Sequence, residues 1–354
     1  MLRKKVSLGI LSFAHYHANF WAEAICRSTQ GELAGIWDED PARGKEKAET
    51  YGTRFFPRAQ ALLEKDLDGV CIASETSRHS ELTILAANHG KHILCEKPMA
   101  ATLAECDAMI AAIRDAKVIY MQSFPKRLDP VNHKIKEVIE HGLLGRVGMV
   151  RVRHGHGYYL RGHAMEWLGD PELAGGGAFL DEGIHGADFL RWVLGEPLEV
   201  AASVATLYPG SPSDDNGIAL YRFRNGSLGE LAASGTWLAA TNNVEVYGDR
   251  GTLILKGVDL ASRDVTGDDS LVLYLEAEKE KGWQILHVPC QFKKRYFHQL
   301  NPEKFIHCLQ TGDDPPATAE DGKKALAMIL KAYESSRTGR SIPCPEEFWQ
   351  GEVP

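Results

Sequence analysis

Over the first third of the chain, short apolar runs rich in β-formers alternate with longer segments whose apolar positions recur every three or four residues. KVSLGIL, ELAGIW, TRFF, LDGVCIAS, HILCEK and KVIYMQS read as strands. HANFWAEAICRS, RHSELTILAANHG and TLAECDAMIAAIRDA read as helices between them. Strand and helix in this alternation predict a parallel, doubly wound sheet whose ligands sit at the carboxyl ends of the strands. After about residue 125 the pattern changes. ALYRFRNGSLGELAAS turns around Asn225-Gly226 and VEVYGDRGTLIL around Asp249-Arg250-Gly251, as antiparallel hairpins do. The expected organisation is a dinucleotide-binding Rossmann domain over residues 1–124. An α+β domain with a large, mostly antiparallel sheet is expected over 125–354.

Composition narrows the function classes. The 354 residues exceed the roughly 250–300 at which a single core stops growing. A formal charge of -8 disfavours nucleic acid, and no apolar run approaches the ~18 residues of a membrane span. Seven scattered cysteines without a C-x-x-C pair fit free thiols and a cytoplasmic setting. The opening MLRKKVSLGILSFAHYHA imitates a signal peptide, but its apolar run is short and breaks at His15 and His17, so it reads as mature sequence.

The polar residues at the predicted strand ends carry the chemistry. Asp38 closes the second strand about twenty residues beyond the first loop, where a dinucleotide fold places a carboxylate for the adenosine ribose. It reads equally as a turn residue, with Asp40 capping the helix that Pro41 begins. Glu96 and Lys97 end the fifth strand, and Pro98 biases Lys97 toward an extended backbone. In GGGAFLDEGIHGADFLRWVLG, residues 175–195, a helix from Asp181 onward would put Asp181, His185 and Asp188 on one face among apolar residues. Such a stripe is costly to bury unless the groups pair or do chemistry; His185 paired to Asp188 in the core is the structural alternative. Gly175 to Gly177 would admit a ligand to the backbone or form a plain turn.

These segments resemble the glucose-fructose oxidoreductase and inositol dehydrogenase (Gfo/Idh/MocA) family. The resemblance rests on Glu96-Lys97-Pro98, on Gly175 through Asp188, on IASETSRHSEL, KRLDP and VYGDRGTL, and on the late helix EDGKKALAMILKAYESSRTGR. It implies hydride transfer between a nicotinamide cofactor and a secondary hydroxyl of a sugar, inositol or related polyol. By that resemblance His185 is the acid/base, Lys97 polarises the reacting hydroxyl, and Asp181 grips the hydroxyl or the histidine. Cofactor contacts are expected from Ser12, Phe13, Ala14, His15, Asp38, Ser74, Glu75, Thr76, His79, Glu96 and Lys97. NAD is favoured over NADP through the Asp38 carboxylate, with Arg43 close enough in sequence to weaken that preference. Two departures stand out. The first loop, Ser12 to His17, lacks the family's leading glycines, so backbone amides and the helix start would have to cradle the phosphates. Glu75-Thr76 replaces the family's Pro-Asn.

Substrate contacts beyond Lys97, Asp181 and His185 are expected from Arg127, Tyr158, Arg161 and His163, with His154 and His156 beside them. A homodimer or homotetramer is the expected assembly. Two other classes compete. AHYHA and RHGHGYY each contain H-x-H, the ligand spacing of a metal-dependent hydrolase barrel, and an altered glycine loop suits a non-catalytic dinucleotide sensor. The hairpins speak against the barrel, so no metal is expected, and Lys97, Asp181 and His185 speak against the sensor.

Overall fold

The computed structural model describes residues 5–162, 165–238, 240–256, 271–288 and 296–344. Six parallel strands form the first sheet: β1 (Val6–Leu11), β2 (Gly31–Trp37), β3 (Phe55–Phe56), β4 (Gly69–Ile72), β5 (His92–Cys95) and β6 (Tyr120–Gln122). Their order, β3-β2-β1-β4-β5-β6, places the reversal of strand order between β1 and β4. A crevice at such a reversal is where doubly wound sheets bind ligands. β1 is buried at every position because helices cover both faces, which is why VSLGIL carries little alternation.

The second sheet contains β7 (Val147–Gly155), β8 (Pro197–Ala205), β9 (Asn216–Phe223), β10 (Leu228–Ser234), β11 (Val244–Gly248), β12 (Gly251–Leu255), β13 (Leu271–Leu275), β14 (Gln284–Ile285) and β15 (Ile342–Pro343). Its order is β14-β13-β12-β11-β7-β10-β9-β8-β15, antiparallel except where β7 runs parallel to β10. Both hairpins expected from the turn dipeptides are present, β9 with β10 and β11 with β12, and Gly226 takes the positive φ its turn requires. The parallel and mostly antiparallel sheets are those the sequence pattern predicts. A barrel of repeated strand-helix units, which the hydrolase reading needs, is not what these strands build.

One face of the second sheet packs on the helix Ala178–Leu194 and, at its β8 end, on the helix Ala319–Thr338. The other carries exposed Ile218, Leu220, Leu228 and Tyr247. The layers are not assembled in chain order. Phe305 and Ile306, on the helix Tyr296–Thr311, are buried in the same cluster as Leu8, Ile10, Trp21 and Leu94, so a late segment completes the first layer. All six described cysteines are free thiols, and no helix among the described residues is long and apolar enough to cross a membrane.

Candidate active site

The first loop leaves β1 at Ser12, which adopts a positive φ of 76°. This is the backbone state a glycine would take without strain, so the chain keeps the turn while placing a side chain there. That side chain is used: the Ser12 hydroxyl donates to Glu39 at 2.7 Å and accepts from the Ala14 amide at 3.0 Å. Phe13 N–H donates to Asp38 at 2.8 Å, His15 N–H to the Ala73 carbonyl at 2.9 Å, and His17 N–H to His15 Nδ1 at 3.2 Å. The open cradle of amides expected over Ser12, Phe13, Ala14 and His15 is therefore corrected. Those donors already have partners, and the only one held by a side chain free to rotate away is the Ala14 amide.

Asp38 also differs from expectation. It is buried, and its carboxylate accepts from Phe13 N, from Asp40 N at 2.8 Å, and from Arg43 Nε and Nη2 at 2.7–3.1 Å. Four donors occupy roughly the four lone-pair sites a carboxylate offers. Asp38 thus clamps the first loop to β2, with its carboxylate shared between loop amides and the Arg43 guanidinium. Asp40 caps the helix Pro41–Thr50, as its sequence position suggests. Glu39, which carries no motif signature, faces the same space; burial, then Asp38 and Glu75, push its carboxyl up. Ser74 and His79 brace the loop. The Ser74 hydroxyl turns back to the Glu75 carbonyl, and the two His79 nitrogens lie 2.8 Å from Pro98 O and 3.2 Å from Ser74 O. Glu75 and Thr76 begin the short turn that follows, with Thr76 buried.

Glu96 and Lys97 leave β5 beside this loop, both buried, and the Lys97–Pro98 peptide is cis. Lys97 forms an ion pair with the Asp181 carboxylate, and its ammonium also donates to the Asp181 carbonyl at 3.0 Å. Burial alone would lower the lysine's pKa; Asp181, Glu182 and Glu96 more than reverse that and raise it. Tyr158 OH donates to the other Asp181 oxygen at 3.3 Å.

The helix Ala178–Leu194 presents Asp181, Glu182 and His185 because its start and its middle are both fixed. Asp214 accepts from the amides of Gly177 and Phe179 at 2.9 and 2.8 Å, closing the first turn. A Cβ at Gly177 would strike Asp214, and one at Gly186 would strike Leu231 of β10. Gly177 therefore packs against Asp214, and Gly186 lets the helix lie close on the sheet.

Asp181, Glu182 and His185 open into a cavity of about 360 Å³ that also exposes Lys97, Tyr158 and Arg161. Six of the chain's fourteen histidines line it: His15, His17, His154, His156, His185 and His298. That concentration exceeds what a surface scatter would give. Ring centroids lie 4.1 Å apart for His15–His17, 3.8 Å for His17–His298 and 5.0 Å for His154–His185. Burial, and then neighbouring cationic or imidazole groups, hold His15, His17 and His185 well below the ordinary histidine range. Two groups have metal-ligand spacing, His15 with His17 and Glu96, and His154 with His156 and Glu182, each with its ligand atoms within 4.8 Å of one another. Glu182 and His298 carried no motif in the sequence. Only the register of helix against strand, and the late helix folding back, bring them here.

One substrate expectation falls elsewhere. Arg127 is buried away from the cavity; its guanidinium donates to Asp188 at 2.7–3.1 Å, to the Pro316 carbonyl and to Asp321. Asp188, offered by sequence as the partner of His185, belongs to Arg127 instead. His163 lies outside the described residues.

A dinucleotide suits the first-sheet edge. The Ser12 turn has the glycine conformation, the helix His17–Arg27 begins directly behind it, and the edge lies at the strand-order reversal next to Lys97.

Comparison with known proteins agrees. Residues 8–124 match the family model described as an oxidoreductase family with an NAD-binding Rossmann fold, and 132–254 match the GFO/IDH/MocA C-terminal domain. The myo-inositol 2-dehydrogenase of Thermotoga maritima is 30% identical over 89% of this chain and 91% of its own. The 1,5-anhydro-D-fructose reductase of Ensifer adhaerens is 29% identical over 92% and 94%. Among solved structures, a levoglucosan dehydrogenase in complex with NADH superposes with a TM-score of 0.86 over 97% of this chain and 100% of its own, at 21% identity. The aldose-aldose oxidoreductase of Caulobacter crescentus, complexed with glycerol, gives 0.81 over 96% and 100%, at 25% identity. With both halves matched and the relatives spanned almost end to end, the chain belongs to the GFO/IDH/MocA family of NAD-binding oxidoreductases.

Proposed function

We propose that the histidine-lined cavity oxidises a secondary hydroxyl of a sugar, inositol or related polyol, with NAD along the carboxyl edge of the first sheet. The observation that carries this reading is the meeting of Lys97, from the end of β5, with Asp181 and His185, one helical turn apart, at the cavity wall. Bound nicotinamide supplies the acceptor for the hydride that leaves the carbinol carbon. The protein handles the proton and the geometry. His185 accepts the hydroxyl proton at a ring nitrogen as the carbonyl forms. Lys97, held by Asp181, donates to the reacting oxygen and stabilises the charge that develops there. Asp181, steadied by Tyr158, aligns the lysine and accepts from a substrate hydroxyl. Arg161, at the rim, reaches oxygens further along the ligand.

NAD is the cofactor these residues favour, because Asp38 and Glu39 follow β2 with two carboxylates that hold Arg43, the nearby cation an extra phosphate would otherwise use. Arg43 is sequestered by both. Asp38→Ser removes one of the two carboxylates, leaves that guanidinium to Glu39 alone and should move preference toward NADP; an unchanged ratio would leave Asp38 a loop clamp alone. The apolar face with Ile218, Leu220, Leu228 and Tyr247 fits a homo-oligomer in which two sheets pack together. The direct test is a thermal-shift screen with NAD, NADP and their reduced forms, followed by a panel of inositols, aldoses and other polyols with the cofactor that binds. Stabilisation by a nicotinamide dinucleotide and its reduction by a polyol are the expected results. Failure of every dinucleotide to shift the melting temperature would sink the reading.

A further inference from the structure

We propose that His154, His156 and Glu182 form a binding site for one divalent transition-metal cation, Zn²⁺ foremost, whose remaining coordination position opens into the cavity. The site stands on its own geometry and does not depend on the redox reading.

Glu182 Oε2 lies 3.1 Å from His154 Nε2 and 3.6 Å from His156 Nε2, so one carboxylate oxygen faces two imidazole nitrogens at once. Tetrahedral ligands at about 2.0–2.1 Å from zinc stand roughly 3.3 Å from each other, close to both carboxylate–imidazole spacings here, and all three ligand atoms lie within 4.8 Å of one another. Two imidazoles and a carboxylate select a borderline cation such as Zn²⁺ over Mg²⁺ or Ca²⁺, which prefer oxygen alone. Three protein ligands plus an open position is also the arrangement of catalytic rather than structural zinc.

The framework is rigid. His154 is fully buried at the end of β7, and Glu182 is 5% exposed. Between the two imidazoles, Gly155 N–H donates to Asn242 Oδ1 at 2.8 Å, and Gly155 O accepts from Asn242 Nδ2 at 3.2 Å. His156 N–H donates to Ser234 O at 2.9 Å. Alternation along an extended strand turns both imidazoles the same way, toward the helix that the close approach at Gly186 holds against the sheet. The second candidate, His15 with His17 and Glu96, is weaker. His15 Nδ1 already accepts from His17 N–H, and the loop that carries it is the one a dinucleotide needs.

A cation here would coordinate a hydroxyl or carboxylate oxygen of a ligand in the cavity as a Lewis acid, with no change of its own oxidation state. The chemical class it selects is a polyhydroxy or hydroxycarboxylate compound.

The test uses the full chain, freed of metal by chelator dialysis and titrated with Zn²⁺ by calorimetry and with Co²⁺ by visible absorption. One saturable equivalent is expected, with Co²⁺ bands stronger than those of the hydrated octahedral ion. Glu182→Gln and His156→Ala should weaken binding by more than about 100-fold, since losing even an outer partner of a ligand costs roughly 10–100-fold. His17→Asn should keep the equivalent. Two equivalents, one of which follows the Glu182 and His156 variants, support the site equally. No saturable binding of either cation overturns it, as does an equivalent lost with His17→Asn and kept with Glu182→Gln. Circular dichroism checks each variant's fold. If neither Glu182→Gln nor His156→Ala folds, the wild-type and His17→Asn titrations decide: an equivalent with the Co²⁺ bands of a non-octahedral ion that survives His17→Asn supports the site, and its loss in His17→Asn overturns it.

Discussion

One helix, Ala178–Leu194, receives two cations from the first half of the chain, two turns apart, and treats them differently. Lys97 meets Asp181 at the cavity wall, with Tyr158 as that carboxylate's other partner. Arg127 meets Asp188 in the core, and its remaining donors are taken by Asp321 and the Pro316 carbonyl. Lysine offers a compact charge with rotatable donors, which suits a group that must shift toward a ligand. Arginine's planar fork locks two carboxylates and a carbonyl at once, which suits a joint. A basic residue near a cleft in sequence is therefore ambiguous until its partners are counted: a partner facing a cavity leaves room for chemistry, and a saturated fork does not.

The contrast breaks most sharply under mutation. Lys97→Ala and His185→Ala should each cut turnover by ~10²- to 10⁴-fold while NAD binding and melting temperature change little. Near-normal turnover in both would remove the assigned roles. Arg127→Ala should do the reverse, leaving Asp188 buried without its partner at a cost of about 3–5 kcal/mol in chemical denaturation. A turnover defect in a variant of unchanged stability would return Arg127 to the substrate.

Acid sharpens the same comparison. Burial would push the Asp321 carboxyl up, but Arg127 and Arg191 outweigh it and hold it at about 2. Because this folded value lies below the unfolded carboxylate's ordinary value near 3.9, the contribution is complete above about pH 4. It is lost as pH falls toward 2, an effect of about 2 kcal/mol. Asp321→Asn should flatten that part of the stability-pH curve, and an unchanged curve would place the acid sensitivity elsewhere. The smallest effect is expected at Ser12→Gly. Relief of the left-handed backbone, about 1 kcal/mol, offsets loss of the serine hydrogen bonds, also about 1 kcal/mol, so stability should barely move. NAD affinity should rise a few-fold as the Ala14 amide is released. A weaker complex would show that the Ser12 hydroxyl itself serves the phosphates.

Period and turn chemistry are local properties, and they were legible. Alternating strand and helix patterns, Asn225-Gly226 and Pro41 after Asp40 state the two kinds of sheet, a hairpin and a helix cap without reference to distant residues. The helix with Asp181 and His185, and Lys97 before Pro98, were legible too, because a costly polar residue in an apolar period marks itself. Tertiary structure alone decided who pairs with whom. Asp38 turned out to be a clamp occupied by Arg43, the first-loop amides turned out to be satisfied, and Asp188 went to Arg127 rather than His185. Glu182 and His298 carry no local signature, yet the close seating of one helix on β10 and the return of residues near 300 to the first sheet bring them to the cavity. Sequence spacing determines which face of an element a residue occupies. Partners are chosen by packing between elements far apart in the chain, where each buried donor and charge must find its counterpart.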